Sequence, residues 1–314
     1  MKKNKKILVT GSTGLIGSNL VKRLKDEGHD VKGISTKDGD LQDYEFCKKI
    51  TKGIDIVFHC AANTSGAKVM QSSPLDHVTP NVVMNSRLME NCYKNKVKKF
   101  IFMSSSVVYP NTYHTPNKET DNVGNEIYEK YFAVGWMKRY TEKLCELYSN
   151  YLTPSMQCII IRPANIYGPG DKFDERSHVL PATIMKVVNK DNPINVWGDG
   201  NDIRDFIYID DFIDSCIVVM NKVDKFDIFN IGSGNGYSVR DLLSICMRLE
   251  KHGVPVTFDS SKPSMIPVRL LDVSKSERIL NFKCKTTLEE GLKKTLDWYR
   301  ENVLNSKKKK KTDK

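Results

Sequence analysis

The chain has 314 residues, 39% hydrophobic and 28% charged, the balance of a folded globular protein with room for one large domain or two smaller ones. It holds no run of about 18 apolar residues, which argues against a membrane-spanning helix, and the apolar stretch in the opening MKKNKKILVTGSTG is too short for a signal peptide. Most of the net charge of +11 comes from Lys2, Lys3, Lys5, Lys6 and the Lys-rich end 306–314; with the body close to neutral, nucleic acid is not an expected partner and the end reads as a disordered tail.

Ile7 to Val9 read as a short buried strand. Gly11-Ser-Thr-Gly14-Leu-Ile-Gly17 follows as a glycine turn, then Leu15, Ile16, Leu20, Val21 and Leu24 recur at helical spacing. Gly28 stops that helix, and Val31 to Ile34 begin a second strand. Strand, glycine turn, helix, strand is a unit that sets a pyrophosphate on a helix N-terminus, so Gly11, Thr13, Gly14, Leu15, Ile16 and Gly17 are candidate dinucleotide contacts. Strands at Ile54 to His59, Phe100 to Met103 and Ile159 to Ile161 alternate with helices. The class is α/β, a doubly wound parallel sheet with ligands at the strands' C-terminal ends. TTLEEGLKKTLDWYREN reads as an amphipathic C-terminal helix with a Thr-x-x-Glu start. The eight Cys show no C-x-x-C spacing, so no metal or redox motif is expected, and scattered single thiols fit a reduced, cytoplasmic protein.

GSTGLIG, DIVFHCAA, FIFMSSSVVYP, IIIRPANIYGPGD, WGDGNDIRDFIYIDD and FNIGSG occur in this order. Together they resemble the extended short-chain dehydrogenase/reductase family, in its nucleotide-sugar branch, over roughly residues 5–303. SHVLPATI and LCELY look most like the GDP-fucose synthases of that branch. The resemblance implies a Rossmann-type dinucleotide domain over residues 1–169 plus 205–235. It also implies a smaller C-terminal α/β substrate domain over 170–204 plus 236–305, and a homodimer joined by the helices around 81–92 and 138–148. NAD(H) is the expected cofactor and NADP(H) is not excluded: the acid usual at the end of the second strand is absent at Ser35, and Lys37 is the nearby base. Asp40 and Leu41 match the adenine segment. Ala61, Ala62, Asn81, Pro163 and Ile166 match other cofactor positions.

The family's chemistry needs a Tyr whose proton affinity is lowered by a Lys one turn on, with a Ser on the reacting oxygen. Ser105 and Lys138 stand at the last two positions. Val134 occupies the Tyr position, four before Lys138, and no shift of register restores the Tyr. Tyr131 lies two turns, or about 10 Å, before Lys138 if the helix is regular. Tyr131, a water held by Ser105, or His178 are the expected replacements. His178 matches the acid/base His of GDP-fucose synthases, whose Cys partner matches Val107 here, so that activity is not expected. Ser106, Val107 and Val134 should line the sugar site. Asn165, Arg204 and Arg269 match positions that grip a diphosphate, a task suited to the planar guanidinium fork. Leu180, Lys186 and Trp197 fall in the segment that meets the nucleotide base. The resemblance extends to GDP-manno-heptose dehydrogenases of capsule pathways. It implies oxidation at C4 of a GDP-sugar, with a 4-keto-sugar reductase, an epimerase or a catalytically inert sugar-nucleotide binder as alternatives.

Overall fold

The computed structural model describes residues 4–63, 73–113, 115–174, 177–262 and 265–305. The end 306–314, expected to be a disordered tail, lies outside the described residues, as do Lys2 and Lys3. The first half runs β1 (Lys6–Thr10), α1 (Leu15–Asp26), β2 (Asp30–Ile34), α2 (Tyr44–Thr51), β3 (Ile56–His59), α3 (Pro74–Lys94), β4 (Lys99–Met103), α4 (Phe132–Asn150) and β5 (Gln157–Pro163). Then come β6 (Asn165–Tyr167), α5 (Val179–Val188), β7 (Ile194–Trp197), β8 (Ile203–Tyr208), α6 (Ile209–Lys222) and β9 (Asp227–Ile231). The chain ends with β10 (Gly236–Ser238), α7 (Val239–Leu249), β11 (Val256–Asp259), β12 (Val268–Arg269) and α8 (Leu288–Tyr299).

Six parallel strands form the main sheet in the order β2-β1-β3-β4-β5-β9. Helices cover both faces, which is why β3 and β4 read as unbroken apolar runs rather than alternations. Successive side chains still point to opposite faces. Ile7 and Val9 pack with Leu20 and Leu24 of α1 and Phe212 of α6, while Leu8 packs with Leu88 and Met89 of α3 and Cys145 of α4. Gly28, at φ +83°, follows the last turn of α1 as expected, and Thr287 and Glu290 cap α8 reciprocally.

A smaller sheet, β10-β8-β12 with β6 on β8, adjoins the large one. Ala164 alone separates β5 from β6, so the small sheet starts at the C-terminal edge of the large one. Behind that edge lies a buried ion pair. Arg162 of β5 donates twice to Glu142 of α4, at 2.9 and 2.6 Å, and also to the Tyr109 hydroxyl at 2.8 Å. Arg162 is fully buried and Glu142 is 5% exposed. Arg162→Ala strands the Glu142 carboxylate without its partner, and we expect a loss of about 3–5 kcal/mol in urea unfolding.

Candidate active site

The sheet order reverses at β1: the chain goes to β2 on one side and returns to β3 on the other. The crevice between the C-terminal ends of β1 and β3 is where such folds hold a ligand. Gly11, at φ +67°, lies against the backbone of Ala61, and a Cβ there would come within 2.8 Å of it. A Cβ on Gly17 would sit 2.2 Å from the Gly11 carbonyl oxygen. α1 begins at Leu15 with no side-chain cap on Gly14 and no acid in its first turn, so its free N–H groups face an open cradle suited to a pyrophosphate. Thr13 is exposed on this loop, and Leu15 and Ile16 pack partly buried on the core beneath it. Ala61 and Ala62 follow β3. Asn81 fixes the next residue, Asn63, accepting its N–H at 2.9 Å and donating to its carbonyl at 3.0 Å. Pro163 and Ile166 flank the step from β5 to β6 and are half-buried.

Ser35 closes off the end of β2 in a way its identity did not reveal. Its N–H and hydroxyl both donate to Asp38, at 2.8 and 2.9 Å, which holds that carboxyl below the usual range. An acid therefore stands at the ribose end of β2, three residues later than expected; the Ser-x-x-Asp spacing of STKD was the available signal. Lys37 is exposed beside it. Asp40 accepts from the N–H of Gln42 at 2.8 Å, and the Leu41 side chain is buried in the core under α2.

Lys138 of α4 reaches the C-terminal end of β4, where its ammonium donates to the Met103 carbonyl at 2.8 Å, above the Phe102 ring. Burial pulls its pKa down to about 8, against the opposing pull of Glu142, whose carboxylate is committed to Arg162. Ser105 lies two residues beyond Met103, and its hydroxyl accepts from the Val107 N–H at 3.3 Å. Ser106 and Val107 are buried in the short 3-10 turn that Ser105 opens. Val134 packs with Val107, Ile127, Tyr131 and Ile266, so the positions matched to a Tyr and a Cys form an apolar wall. A Cβ on Gly135 would meet the Val107 carbonyl at 2.9 Å, which shows how closely α4 rests on that turn.

The regular helix begins at Phe132. Tyr131 ends a separate 3-10 turn, Glu129–Tyr131, so the spacing of a regular helix does not apply to it. Tyr131 is 5% exposed, with the Arg269 guanidinium 5.2 Å from its ring centre. Arg269 pairs in register with Arg204 across parallel β12 and β8. Arg269 also donates to Asn165 at 2.8 Å, and Arg204 donates to Asp202 at 3.1 Å and to the Ile203 carbonyl at 2.8 Å. Burial and the charge of Arg269 lower the pKa of Arg204. Two adjacent guanidiniums with one nearby carboxylate leave surplus positive charge suited to a diphosphate. His178 stands just before α5, is exposed and makes no side-chain capping hydrogen bond; desolvation by the neighbouring protein atoms, then the charges of Arg269 and Lys172, hold its pKa below the imidazole value. The fold thus gathers Tyr131, Asn165, His178, Arg204 and Arg269 from separate segments, together with Lys172, which the sequence motifs did not single out. Leu180 is instead buried in the core. Lys186 donates to the Asn195 carbonyl at 2.6 Å, and Trp197, at the end of β7, is 54% exposed.

Residues 7–232 match the family model described as the NAD dependent epimerase/dehydratase family. The chain belongs to that family. GDP-L-fucose synthase 1 of Arabidopsis thaliana is 30% identical over 96% of this chain and 95% of its own length. A UDP-glucose 4-epimerase of Thermotoga maritima, solved with UDP-glucose, superposes with a TM-score of 0.85 at 26% identity, covering 95% of this chain and 99% of its own. MoeE5, solved with UDP-glucose and NAD, gives a TM-score of 0.84 at 25% identity over 95% of this chain and 99% of its own. This member of the epimerase/dehydratase family is accordingly an enzyme with a nicotinamide dinucleotide, NAD or NADP, as cofactor. The cradle above has the glycines and the uncapped helix that such a group requires. Replacing Arg269 by Gln removes one of the two adjacent guanidiniums, and should weaken the binding of inorganic pyrophosphate about 10-fold and flatten its salt dependence in calorimetric titrations.

Proposed function

We propose that the protein oxidises the C4 hydroxyl of a GDP-linked sugar with NAD as acceptor, for surface polysaccharide synthesis. GDP-D-glycero-D-manno-heptose is the candidate sugar, on the strength of the sequence resemblance. In this reading the dinucleotide lies on residues 1–169 plus 205–235 and the sugar nucleotide on 170–204 plus 236–305. The observation that carries it is the apolar wall of Val107 and Val134 beside a buried Lys138. The wall removes two proton carriers at once, which disfavours an epimerisation that needs both, and leaves a site that orients one hydroxyl.

The cofactor supplies the hydride acceptor. Ser105 holds the sugar oxygen, and the Lys138 ammonium supports negative charge on it as its proton leaves. The proton passes to a water held by Ser105, or to Tyr131 when that residue is a phenolate, and on to solvent; Tyr131 is buried between the wall and the two arginines, and His178 contacts the sugar from the other side. Arg204, Arg269 and Asn165 hold the diphosphate, and Trp197 with Lys186 meets the base. The Asp38 carboxylate at the ribose end favours NAD, because it would repel the 2′-phosphate of NADP. All eight thiols are free, in keeping with a reducing cytoplasm.

A line of exposed side chains, Phe132, Trp136, Tyr140, Leu147 and Tyr151, follows one face of α4 and the residue after it at helical spacing. This stripe fits a second copy of the chain, giving a homodimer.

Mixing the enzyme with NAD and a panel of GDP-, UDP- and dTDP-sugars should produce reduced nicotinamide with a GDP-sugar alone. If reduced cofactor is instead consumed on addition of a 4-keto-sugar, the enzyme is a reductase; no change with either sinks the enzymatic reading. Val134→Tyr should place a hydroxyl beside Lys138, and the rate and its pH profile should both change; an unchanged profile would put Val134 elsewhere. Joint replacement of Tyr140 and Leu147 by Glu should turn a sedimenting dimer into a monomer.

A further inference from the structure

One buried titratable side chain has no part in the chemistry above. His59 closes β3 and is 1% exposed. Its Nδ1 lies 2.8 Å from the Thr10 hydroxyl and its Nε2 lies 2.8 Å from the Asn85 amide oxygen. Asn85 donates in turn to the Thr141 hydroxyl at 3.0 Å, and Thr141 donates to the Met137 carbonyl at 3.1 Å. At the other end the Ala61 N–H donates to Thr10 Oγ1 at 3.2 Å. Thr10, Asn85 and Thr141 are as deeply buried as His59.

Each link has one allowed direction. An amide oxygen only accepts, so the proton sits on Nε2; Nδ1 then accepts, and Thr10 must donate to it. Burial pushes the His59 pKa down to about 4, with the Lys138 charge adding to the effect, so the ring stays neutral and the direction does not switch near neutral pH.

The two ends of this chain are what matter. Thr10 precedes Gly11, and Ala61 is the backbone that Gly11 rests on. Met137 and Thr141 bracket Lys138 on α4. The His59 ring also stacks on Phe102, 6.0 Å between centres, and the Lys138 ammonium lies 4.8 Å from the centre of the same ring.

We propose that His59 is a positioning residue that ties the glycine loop to the turn of α4 carrying Lys138, coupling dinucleotide binding to the placement of the ammonium. The proposal rests on the reading of Lys138 as catalytic. Its physical basis is that a fully satisfied polar chain in a low-dielectric interior admits few other arrangements of its ends. Glu142 on the same helix, Cys60 and His59 from the end of β3, and Arg162 of β5 behind Glu142 are the titratable and charged groups around Lys138. Of these, His59 is the one whose side chain is hydrogen-bonded to Thr10 at the start of the loop; Cys60 touches Gly11 through its backbone.

The test uses Thr141→Val, which keeps the shape but removes a link on the side away from the loop, with His59→Leu and His59→Gln alongside. NADH binding is followed by fluorescence titration, and turnover is followed against pH. Thr141→Val and His59→Leu should each weaken NADH binding about 10-fold, in the range of ordinary coupling between sites, although Thr141 lies on α4 and not on the loop. His59→Gln, which can still accept and donate, should recover most of that loss, and the alkaline limb of turnover should move in Thr141→Val. If the variants melt earlier but bind NADH with the wild-type Kd, the chain is mere core filling and the proposal is overturned. If Lys138→Arg leaves the alkaline limb in place, the catalytic reading of Lys138 fails instead, and NADH binding by Thr141→Val then decides the coupling on its own.

Discussion

A lysine ammonium buried at the C-terminal edge of a parallel sheet is the constraint around which the rest is arranged. An ammonium out of water is costly unless something satisfies it. Here the satisfaction is partial: a carbonyl at 2.8 Å and an aromatic face, but no carboxylate of its own. Glu142 is one turn away and would be the natural counter-ion, yet it is held by two hydrogen bonds from Arg162 and one from Ser104 at 2.5 Å. The Arg162–Glu142 pair therefore takes up the carboxylate that would otherwise pair with the Lys138 ammonium. Burial is what brings the Lys138 pKa down to about 8, against the raising pull of the Glu142 charge. A Lys so placed is ready to answer a negative charge that develops beside it.

Much of this frame was legible in the sequence. Apolar runs at β3 to β5, the glycine turn, and the stops at Gly28 and the Thr287 cap are local signals, and the structure reproduces them to within a residue or two. The placement of Ser105 and Lys138 at one strand end was also legible, because motif order fixes which strand ends meet. What the sequence hid is long-range pairing of polar groups. Arg162 and Glu142 are 20 residues apart, and Thr10 and His59 are 49 apart. Nothing in either local context distinguishes a buried charge from a surface one. Asp38 was hidden for another reason: its side chain turns back to Ser35, and so supplies an acid where strand position alone predicted none.

Tyr131 shows the limit of reasoning from spacing. Seven residues before Lys138 puts it two turns away on a continuous helix. The chain instead enters α4 through a 3-10 turn, with Tyr131 at the cap position, φ −106° and ψ 6°. A short irregular entry re-aims one side chain without disturbing the helix behind it. The ring is thereby buried against Val107 and Val134 on one side and lies beneath Arg269 on the other. Val134 stands in the same apolar cluster as that ring. The loss of one phenol and the inward turn of another are, on this view, a single rearrangement.

The same rearrangement bears on the direction of the reaction. Reduction of a keto-sugar needs a proton delivered to the nascent alkoxide at the moment hydride arrives, and its donor must sit within hydrogen-bond reach. Oxidation runs through the same transition state in reverse: a proton must leave, and the group or water beside Ser105 that accepts it is the one that would deliver it in reduction. Rising pH favours the second process by mass action and the first not at all. With Val134 in place of the in-line phenol, both directions lose the same group, and what remains for either is a Lys whose charge supports an alkoxide and a phenol one step removed. Two arginines gripping a diphosphate would orient the sugar hydroxyl without help from the missing groups, and would do so for either direction.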